Sequence, residues 1–326
     1  MNTDKTVLVL GATGGIGGEV ARQLRDAGWS VRGMKRQVEA AVEQRDGITW
    51  VPGDALVAAD VLAAAEGCAV IIHAVNPPGY RNWGKLVLPM LDNTIAAARK
   101  INATVVLPGT LYNYGPSAFP VISEDSLQQP LTRKGMIRVE MEQRLQQYAQ
   151  QGGRVIIVRA GDFFGPHAGN SWFAQGLIKP GKMVTSITKP GAEGVGHQWA
   201  YLPDVAHTML LLLERRDRLE HYANFHMAGH WDADGTAMVE AISRVVTQRS
   251  GKTPGVAAFP WWLIRMLAPF QETLRELLEM RYLWRQPVRM DNGRLTALLG
   301  REPQTPLDQA IEITLQGLGC LPQTLA

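Results

Sequence analysis

In the first half of the chain, short apolar runs of strand length alternate with longer stretches of helical period. Residues 7–10 form one such run and meet Gly11-Ala12-Thr13-Gly14-Gly15-Ile16-Gly17-Gly18, after which Ile16, Val20, Leu24 and Ala27 fall on one face of a helix. Further strands are predicted at 30–34, 48–51, 69–73, 104–107 and 155–159. Between them the pattern predicts an alanine-rich helix ending near Glu66 and a helix over 86–100, which carries Pro89 near its start, where a missing N–H costs least. This alternation predicts an α/β fold built on a doubly wound parallel sheet. A core is expected at 1–165 and a smaller lobe mainly at 166–326, with 199–214 returning to the core.

Beyond Pro166 the pattern loosens. A short helix opens at Asn170-Ser171-Trp172-Phe173 and closes at Lys179-Pro180-Gly181-Lys182, and the glycine-rich stretch 190–196 is a loop able to cover a ligand. His197-Gln198-Trp199 sets polar groups beside an aromatic ring, as pocket linings do, although ordinary packing explains the same residues. A helix beginning at Pro203 holds Asp204 in its first turn, a structural role. A strand is predicted at 225–228 and helices at 234–249 and 307–318. The Trp-, Leu- and Met-rich stretch 261–280 suits a lid or an apolar wall, with most of it in the core.

With 326 residues, 46% of them hydrophobic, the chain can bury one α/β core with an attached lobe. Its 33 Lys+Arg and 30 Asp+Glu leave a net charge of +3 without a block of like charges, so no nucleic-acid partner is expected. No apolar stretch reaches the ~20 residues of a membrane span. No export signal precedes the first strand, and the expectation is a cytoplasmic protein without a membrane partner. Cys68 and Cys320 lack metal-ligand spacing and read as free thiols, and no metal is expected.

The glycine-rich turn is the candidate cofactor site. Gly11 and Gly14 permit a sharp turn close to a pyrophosphate, Gly17 lets the helix lie against the strand, and Thr13, Gly15 and Ile16 lead to free helix N–H groups facing the anion. A tight turn that is merely rich in glycine is the competing reading; the preceding strand favours the dinucleotide. Lys35 and Arg36 end the second predicted strand, beside the expected adenosine ribose, and two cations there favour NADP(H) over NAD(H). A solvated charged turn is the alternative. After the third strand, Asp54, followed by Ala55, accepts from the adenine amino group or begins the next helix. His73, Ala74 and Val75 end the fourth, where small residues let the cofactor pass; His73 itself fits a packed histidine better than a catalyst.

Taken with Gly53-Asp54, Pro108-Gly109-Thr110-Leu111-Tyr112-Asn113-Tyr114-Gly115-Pro116, Arg159-Ala160-Gly161-Asp162-Phe163-Phe164-Gly165-Pro166 and Trp199-Ala200-Tyr201-Leu202-Pro203-Asp204-Val205-Ala206, the chain resembles the extended short-chain dehydrogenase/reductase superfamily. That group contains sugar-nucleotide epimerases and dehydratases. The resemblance covers nearly the whole chain and implies a Rossmann core for a nicotinamide cofactor and a C-terminal lobe for a small-molecule substrate. It places Thr110 where a Ser or Thr holds a substrate oxygen, Gly161 where backbone passes the nicotinamide, and Asp162 where an Asn often faces the substrate. It also implies a homodimer formed through helices near 86–100 and 134–150.

One departure stands out. The family's proton-transfer pair is a Tyr and a Lys four residues apart on one helix face. Anchored on Glu142, the two positions hold Lys134 and Arg138, and there is no tyrosine. Three readings follow: Lys134 acts as the acid/base with Arg138 holding the ribose; Tyr112 or Tyr114 supplies the phenol; or redox chemistry is lost and the cations bind an anion or form a basic helix face. Asn113, Asp162 and His197 are the candidate substrate contacts, and Asp162 is expected to bind a hydroxyl or ammonium group or to pair with Lys134 or Arg138. The functional expectation is an NADP(H)-dependent oxidoreductase or epimerase-like enzyme. The alternative is a non-catalytic NADP(H)-binding redox sensor or assembly factor.

Overall fold

A computed structural model describes residues 5–37, 42–77, 82–169 and 171–322. In chain order its regular elements begin with β1 (Thr6–Leu10), α1 (Gly15–Asp26), β2 (Ser30–Lys35), β3 (Glu43–Arg45), β4 (Ile48–Pro52), α2 (Ala58–Ala65), β5 (Val70–His73), α3 (Trp83–Ile101) and β6 (Thr104–Gly109). They continue with β7 (Val121–Ile122), α4 (Arg133–Gln150), β8 (Arg154–Arg159), β9 (Asp162–Phe164), β10 (Ser186–Lys189), β11 (His197–Tyr201), α5 (Leu202–Leu213), β12 (Tyr222–His226) and β13 (His230–Asp232). The last are α6 (Ala237–Ser250), β14 (Gly255–Ala258), α7 (Trp261–Leu267), α8 (Glu272–Glu279), β15 (Arg289–Met290), α9 (Gly293–Leu299) and α10 (Leu307–Gly317).

The apolar runs of β1, β5, β6 and β8 are buried on both faces, as parallel strands covered by helices must be. Eight strands form one sheet in the order β12-β8-β6-β5-β1-β2-β4-β3, and the pairs from β8 to β4 are parallel. The strand order reverses between β1 and β5, so the loops leaving both strands meet at a topological switch point, where doubly wound sheets bind ligands. Pattern reading missed β3, an antiparallel edge strand of sequence Glu-Gln-Arg, because a charged edge carries no apolar signature.

Two compact units divide the chain. The first comprises Met1–Tyr114, Gln128–Arg159 and Ala206–Phe225 and holds most of the eight-stranded sheet. Its core packs Leu8, Leu10, Ile71, Val105 and Ile157 of the sheet against Leu91 and Ile95 of α3 and Met141 and Leu145 of α4. The second comprises Gly115–Leu127, Ala160–Val205 and His226–Ala326. There β13-β11-β9 form a small mixed sheet, and Phe164, Phe173, Trp199 and Tyr201 pack with Ile242 and Val246 of α6, Ile311 and Leu315 of α10, and Trp284.

Several boundaries differ from the pattern. Helix α3 starts at Trp83, so Pro89 lies in its second turn rather than at its start, and its ring replaces an N–H that would have reached the Lys85 carbonyl. Helix α2 begins at Ala58, beyond Asp54; the Asp54 carboxylate instead accepts from the Leu56 N–H at 3.0 Å, closing a turn. Helix α6 begins at Ala237 rather than 234, where Asp232 accepts the Ala237 and Met238 N–H groups at 3.0 and 3.1 Å. The predicted strand at 225–228 is shifted to β12, and Asn170 of the predicted short helix lies outside the described residues. The largest correction is α7, in which no residue is buried: Trp262 is 67% and Met266 63% exposed.

Candidate functional site

The glycine turn leaves β1 through Gly11, whose φ of +88° favours glycine, and enters α1 at Gly14. A Cβ on Gly11 would lie 2.5 Å from the Ala74 carbonyl oxygen, and one on Gly17 would lie 2.3 Å from the Gly11 carbonyl oxygen. These two glycines therefore let turn, helix and the end of β5 close on one another. Thr13 and Gly14 are exposed, and Gly15 and Ile16 half-buried. No side chain caps α1 and its first turn holds no acid, so its terminal N–H groups remain available to an anion.

Ala74 N–H bonds the Leu10 carbonyl at 3.0 Å, which sets Ala74 and Val75 beside Gly11. At the tip of β2, Lys35 Nζ pairs with Glu43 Oε2 at 2.9 Å and lies over the Trp50 ring, while Arg36 is exposed. Ala55 is buried, and its carbonyl accepts from Asn93 Nδ2 at 2.9 Å.

His73 is buried at the end of β5 with Nδ1 2.8 Å from Thr94 Oγ1. Its Nε2 has no partner among the described residues. Burial, and then the Arg138 charge, lower its pKa to about 3, so the imidazole is neutral at ordinary pH.

Helix α4 supplies Lys134 and Arg138, both buried, with the Arg138 guanidinium 5.4 Å from the centre of the Trp83 ring. Thr132 caps this helix by accepting from the Gly135 N–H at 3.0 Å. A Cβ on Gly135 would lie 2.2 Å from the Tyr112 carbonyl oxygen, so the first turn of α4 is pressed against the short 3-10 turn Leu111–Asn113. That contact sets the start of α4 beside the Tyr112 backbone. Tyr112 is half-buried; Tyr114 is fully buried, with the Arg159 guanidinium 5.1 Å from its ring centre.

A closed polar ring, only partly legible in sequence, fixes these parts. Thr110 Oγ1 donates to Asn113 Oδ1 at 3.4 Å, Asn113 Nδ2 to Gln128 Oε1 at 2.9 Å, and Gln128 Nε2 to Glu142 Oε2 at 2.7 Å. Arg159 completes it, with Nη2 donating to both Glu142 oxygens at 2.8 and 2.7 Å and Nη1 to the Thr110 carbonyl at 2.6 Å. Burial works against the Arg159 charge, yet Glu142, together with Tyr114 and Tyr222, more than offsets it and holds the guanidinium pKa above its ordinary value. Arg159 ends the apolar run 155–158 of β8 and Glu142 lies on the buried face of α4. Two opposite charges at positions that pattern assigns to the core were the available signal.

In the second unit, Asp162 opens β9 opposite Trp199. Its Oδ2 lies 2.8 Å from His197 Nε2, so its partner is His197 rather than Lys134 or Arg138. The His197 ring stacks on Trp284, with centroids 3.7 Å apart and planes inclined by 6°. Gly161 is explained locally: a Cβ there would lie 2.3 Å from the Gln198 carbonyl oxygen. Pro190, Gly191, Val195 and Gly196 do line a cavity with His197 and Trp284, but its roughly 20 Å³ matches a water molecule rather than a substrate. Cys68 and Cys320 are free and buried, and among the described residues no group of acidic, His or Cys side chains could hold a metal. No described helix is long and apolar enough to cross a membrane.

The chain belongs to the NAD dependent epimerase/dehydratase family, whose model matches residues 7–228. It is 25% identical over 319 residues to a Synechocystis protein provisionally named dihydroflavonol 4-reductase, covering 92% of this chain and 82% of that one. Among solved structures, MoeE5 in complex with UDP-glucose and NAD aligns with a TM-score of 0.72 at 19% identity, covering 96% of this chain and 98% of the other. UDP-glucuronic acid 4-epimerase from Bacillus cereus in complex with NAD aligns with a TM-score of 0.71 at 17% identity, covering 96% of both chains. These likenesses establish the Rossmann-type doubly wound fold.

Proposed function

We propose that the chain is an NADP(H)-dependent oxidoreductase acting on a hydroxyl or carbonyl carbon, with the cofactor held by residues up to about 165 and the substrate chiefly by those that follow. The carrying observation is the uncapped, acid-free start of α1 beneath the exposed Thr13 and Gly14, at the point where strand order reverses. These residues fit a pyrophosphate. Gly11, Thr13, Gly14, Gly15, Ile16 and Gly17 would hold it; Asp54 and Ala55 would face the adenine, and His73, Ala74, Val75, Arg138 and Gly161 the nicotinamide half. Arg36 favours the 2′-phosphate, because Glu43 already engages Lys35. When bound, the nicotinamide supplies or accepts a hydride.

In this reading Thr110 orients the substrate oxygen, Lys134 holds or moves its proton, and Arg138 steadies the cofactor ribose; Tyr112 is the half-buried phenol of the adjoining turn. Lys134 lies in the first turn of a helix, where a cation opposes the helix dipole, and that position favours function over stability. A reductase reading is also supported by the name of the Synechocystis relative.

The test is a fluorescence titration of the desalted protein with NADPH and with NADH, alongside Arg36→Asp and Lys134→Met. Arg36→Asp should weaken NADPH binding by about tenfold or more. Lys134→Met should bind NADPH normally and lose about 10²-fold or more of carbonyl-dependent NADPH consumption. Retained turnover in Lys134→Met excludes its proton role. The missing tyrosine also supports a second reading, a non-catalytic redox sensor, and binding without consumption across a carbonyl panel would favour it.

A further inference from the structure

We propose that α7 and the turn after it form a docking face for an anionic lipid surface: the apolar arc of Trp262, Leu263, Met266, Leu267 and Phe270 enters the acyl boundary, and arginines along its border meet the headgroup phosphates. All five apolar side chains are exposed. At about 100° per residue, the four on α7 fall within about 140° of one another, the width of a stripe that a core helix turns inward. Here the opposite side is the anchored one. Trp261 Nε1 donates to the Pro190 carbonyl at 2.8 Å, and Ala268 is buried, so the helix is fixed with its arc outward.

By sequence α7 carries a single charge, Arg265, which lies about 60° outside the arc on the Trp262 side. Folding brings a second cation to the same border. The Arg281 guanidinium stands 5.1 Å from the centre of the Trp261 ring, and Trp261 lies one turn before Arg265 on the same side of α7. Arg285 is exposed just after the 3-10 turn Met280–Trp284 that carries Arg281. Among the described residues none of these three arginines is ion-paired. Burial, and then the charges of Arg265 and Arg285, lower the Arg281 pKa, as befits cations gathered without an anion.

An outward apolar arc bordered by unpaired arginines has the polarity of a helix lying in a bilayer interface: apolar side chains settle below the headgroups, and guanidinium groups stay at the level of the phosphates. A Trp on the arc suits the same depth, because its ring is apolar with one polar edge. A protein partner fits less well. At about 1.5 Å per residue, 262–270 span about 13 Å, a patch of roughly a few hundred Å² at most. Each partner in a stable protein complex buries about 800 Å². A lipid surface sets no such minimum, and an anionic one supplies the charge that the arginines lack.

The experiment is flotation of the full chain with two kinds of vesicle, phosphatidylcholine alone and an equimolar mixture of phosphatidylcholine and phosphatidylglycerol. It compares wild type with two double variants, Trp262→Gln with Phe270→Ser and Arg265→Gln with Arg285→Gln. At low salt, wild type should partition onto the mixed vesicles at least about tenfold more strongly than onto phosphatidylcholine, and high salt should erase most of that preference. Each double variant should partition onto the mixed vesicles about tenfold or more weakly than wild type. All four substituted side chains are exposed, and circular dichroism confirms that the variants are folded.

A second measurement asks whether the arc enters the lipid. Brominated acyl chains should quench the tryptophan emission of wild type more than that of Trp262→Phe, which keeps the apolar area and so keeps binding. Wild type that does not float with the mixed vesicles, or that partitions equally onto both kinds, overturns the proposal. So does undiminished binding by Trp262→Gln with Phe270→Ser, or equal quenching of Trp262→Phe and wild type. Self-association of wild type in ultracentrifugation without lipid, lost in Trp262→Gln with Phe270→Ser, would assign the arc to a second copy of the chain and overturn it as well.

Discussion

At the scale of single residues, His73 shows how a group in the glycine-turn neighbourhood is kept out of acid–base chemistry. The Thr94 hydroxyl has one proton and places it on the Met90 carbonyl at 3.1 Å. It must therefore accept from His73 Nδ1–H, and Nε2 is left as a lone pair. With a native pKa near 3 against an ordinary 6.5, the unfolded chain binds a proton in the intervening range that the folded chain refuses. The stability contributed by His73 is complete above pH 6.5 and is lost as pH falls toward 3, at up to about 1.4 kcal/mol per pH unit. Urea unfolding at a series of pH values between 7.5 and 4.5 should show a shallower acid decline for His73→Gln than for wild type, by up to one proton per molecule. Parallel profiles would refute the assignment. That His73 is packed was legible from its place at the end of an apolar strand, but its partner Thr94 belongs to another element and has no local signature.

At the scale of elements, the Glu142–Arg159 pair ties α4 to β8 and to the loop that carries Thr110. Because α4 also carries Lys134 and Arg138, the pair fixes the candidate catalytic groups against one another. Its side chains are 0% and 4% exposed, so removing one partner strands a charge in the core. Glu142→Leu should cost about 3–5 kcal/mol, and Glu142→Leu combined with Arg159→Met should recover much of that loss. For contrast, Arg144 pairs with Asp92 and Glu140 on the surface of the same helix, and Asp92→Asn should change stability by less than about 1 kcal/mol. A double-mutant cycle from urea denaturation checks both statements; an additive double variant would show that the buried pair carries no coupling. Strands β1, β2, β4, β5, β6 and β8 were legible because each apolar run had the length of one strand, whereas the charged edge strand β3 was not. The polar ring was not, since its members lie at 110, 113, 128, 142 and 159 and meet only once the sheet is assembled. The glycine turn was legible because its whole geometry is local.

At the scale of the whole molecule, the clearest mismatch between pattern and structure concerns where apolar surface ends up. Stretch 261–280 reads as core by composition, yet α7 and the 3-10 turn after it turn Trp262, Leu263, Met266, Leu267 and Phe270 outward, Phe270 being 85% exposed. Positions 262, 263, 266, 267 and 270 share one helical arc, and that apolar arc faces solvent in this chain. What holds α7 down is its other side: Trp261 Nε1 donates to the Pro190 carbonyl at 2.8 Å, its ring packs on Phe259 and Trp172, and Ala268 is buried. Period alone finds such an arc but cannot say which way it faces, because that depends on what the neighbouring elements leave uncovered. The two sides should respond differently to substitution. Trp262→Gln with Phe270→Ser removes apolar area that folding does not bury, so thermal unfolding should shift by no more than the ±0.5 kcal/mol or so of ordinary surface changes, while binding of a hydrophobic dye falls. Trp261→Ala removes the half-buried packing contact and the hydrogen bond together and should destabilise by about 2 kcal/mol or more. Thermal melts of the two variants side by side decide it. Equal losses would mean that the outward arc is covered in the folded protein in solution, and an unchanged melt for Trp261→Ala would mean that α7 is not anchored through that ring.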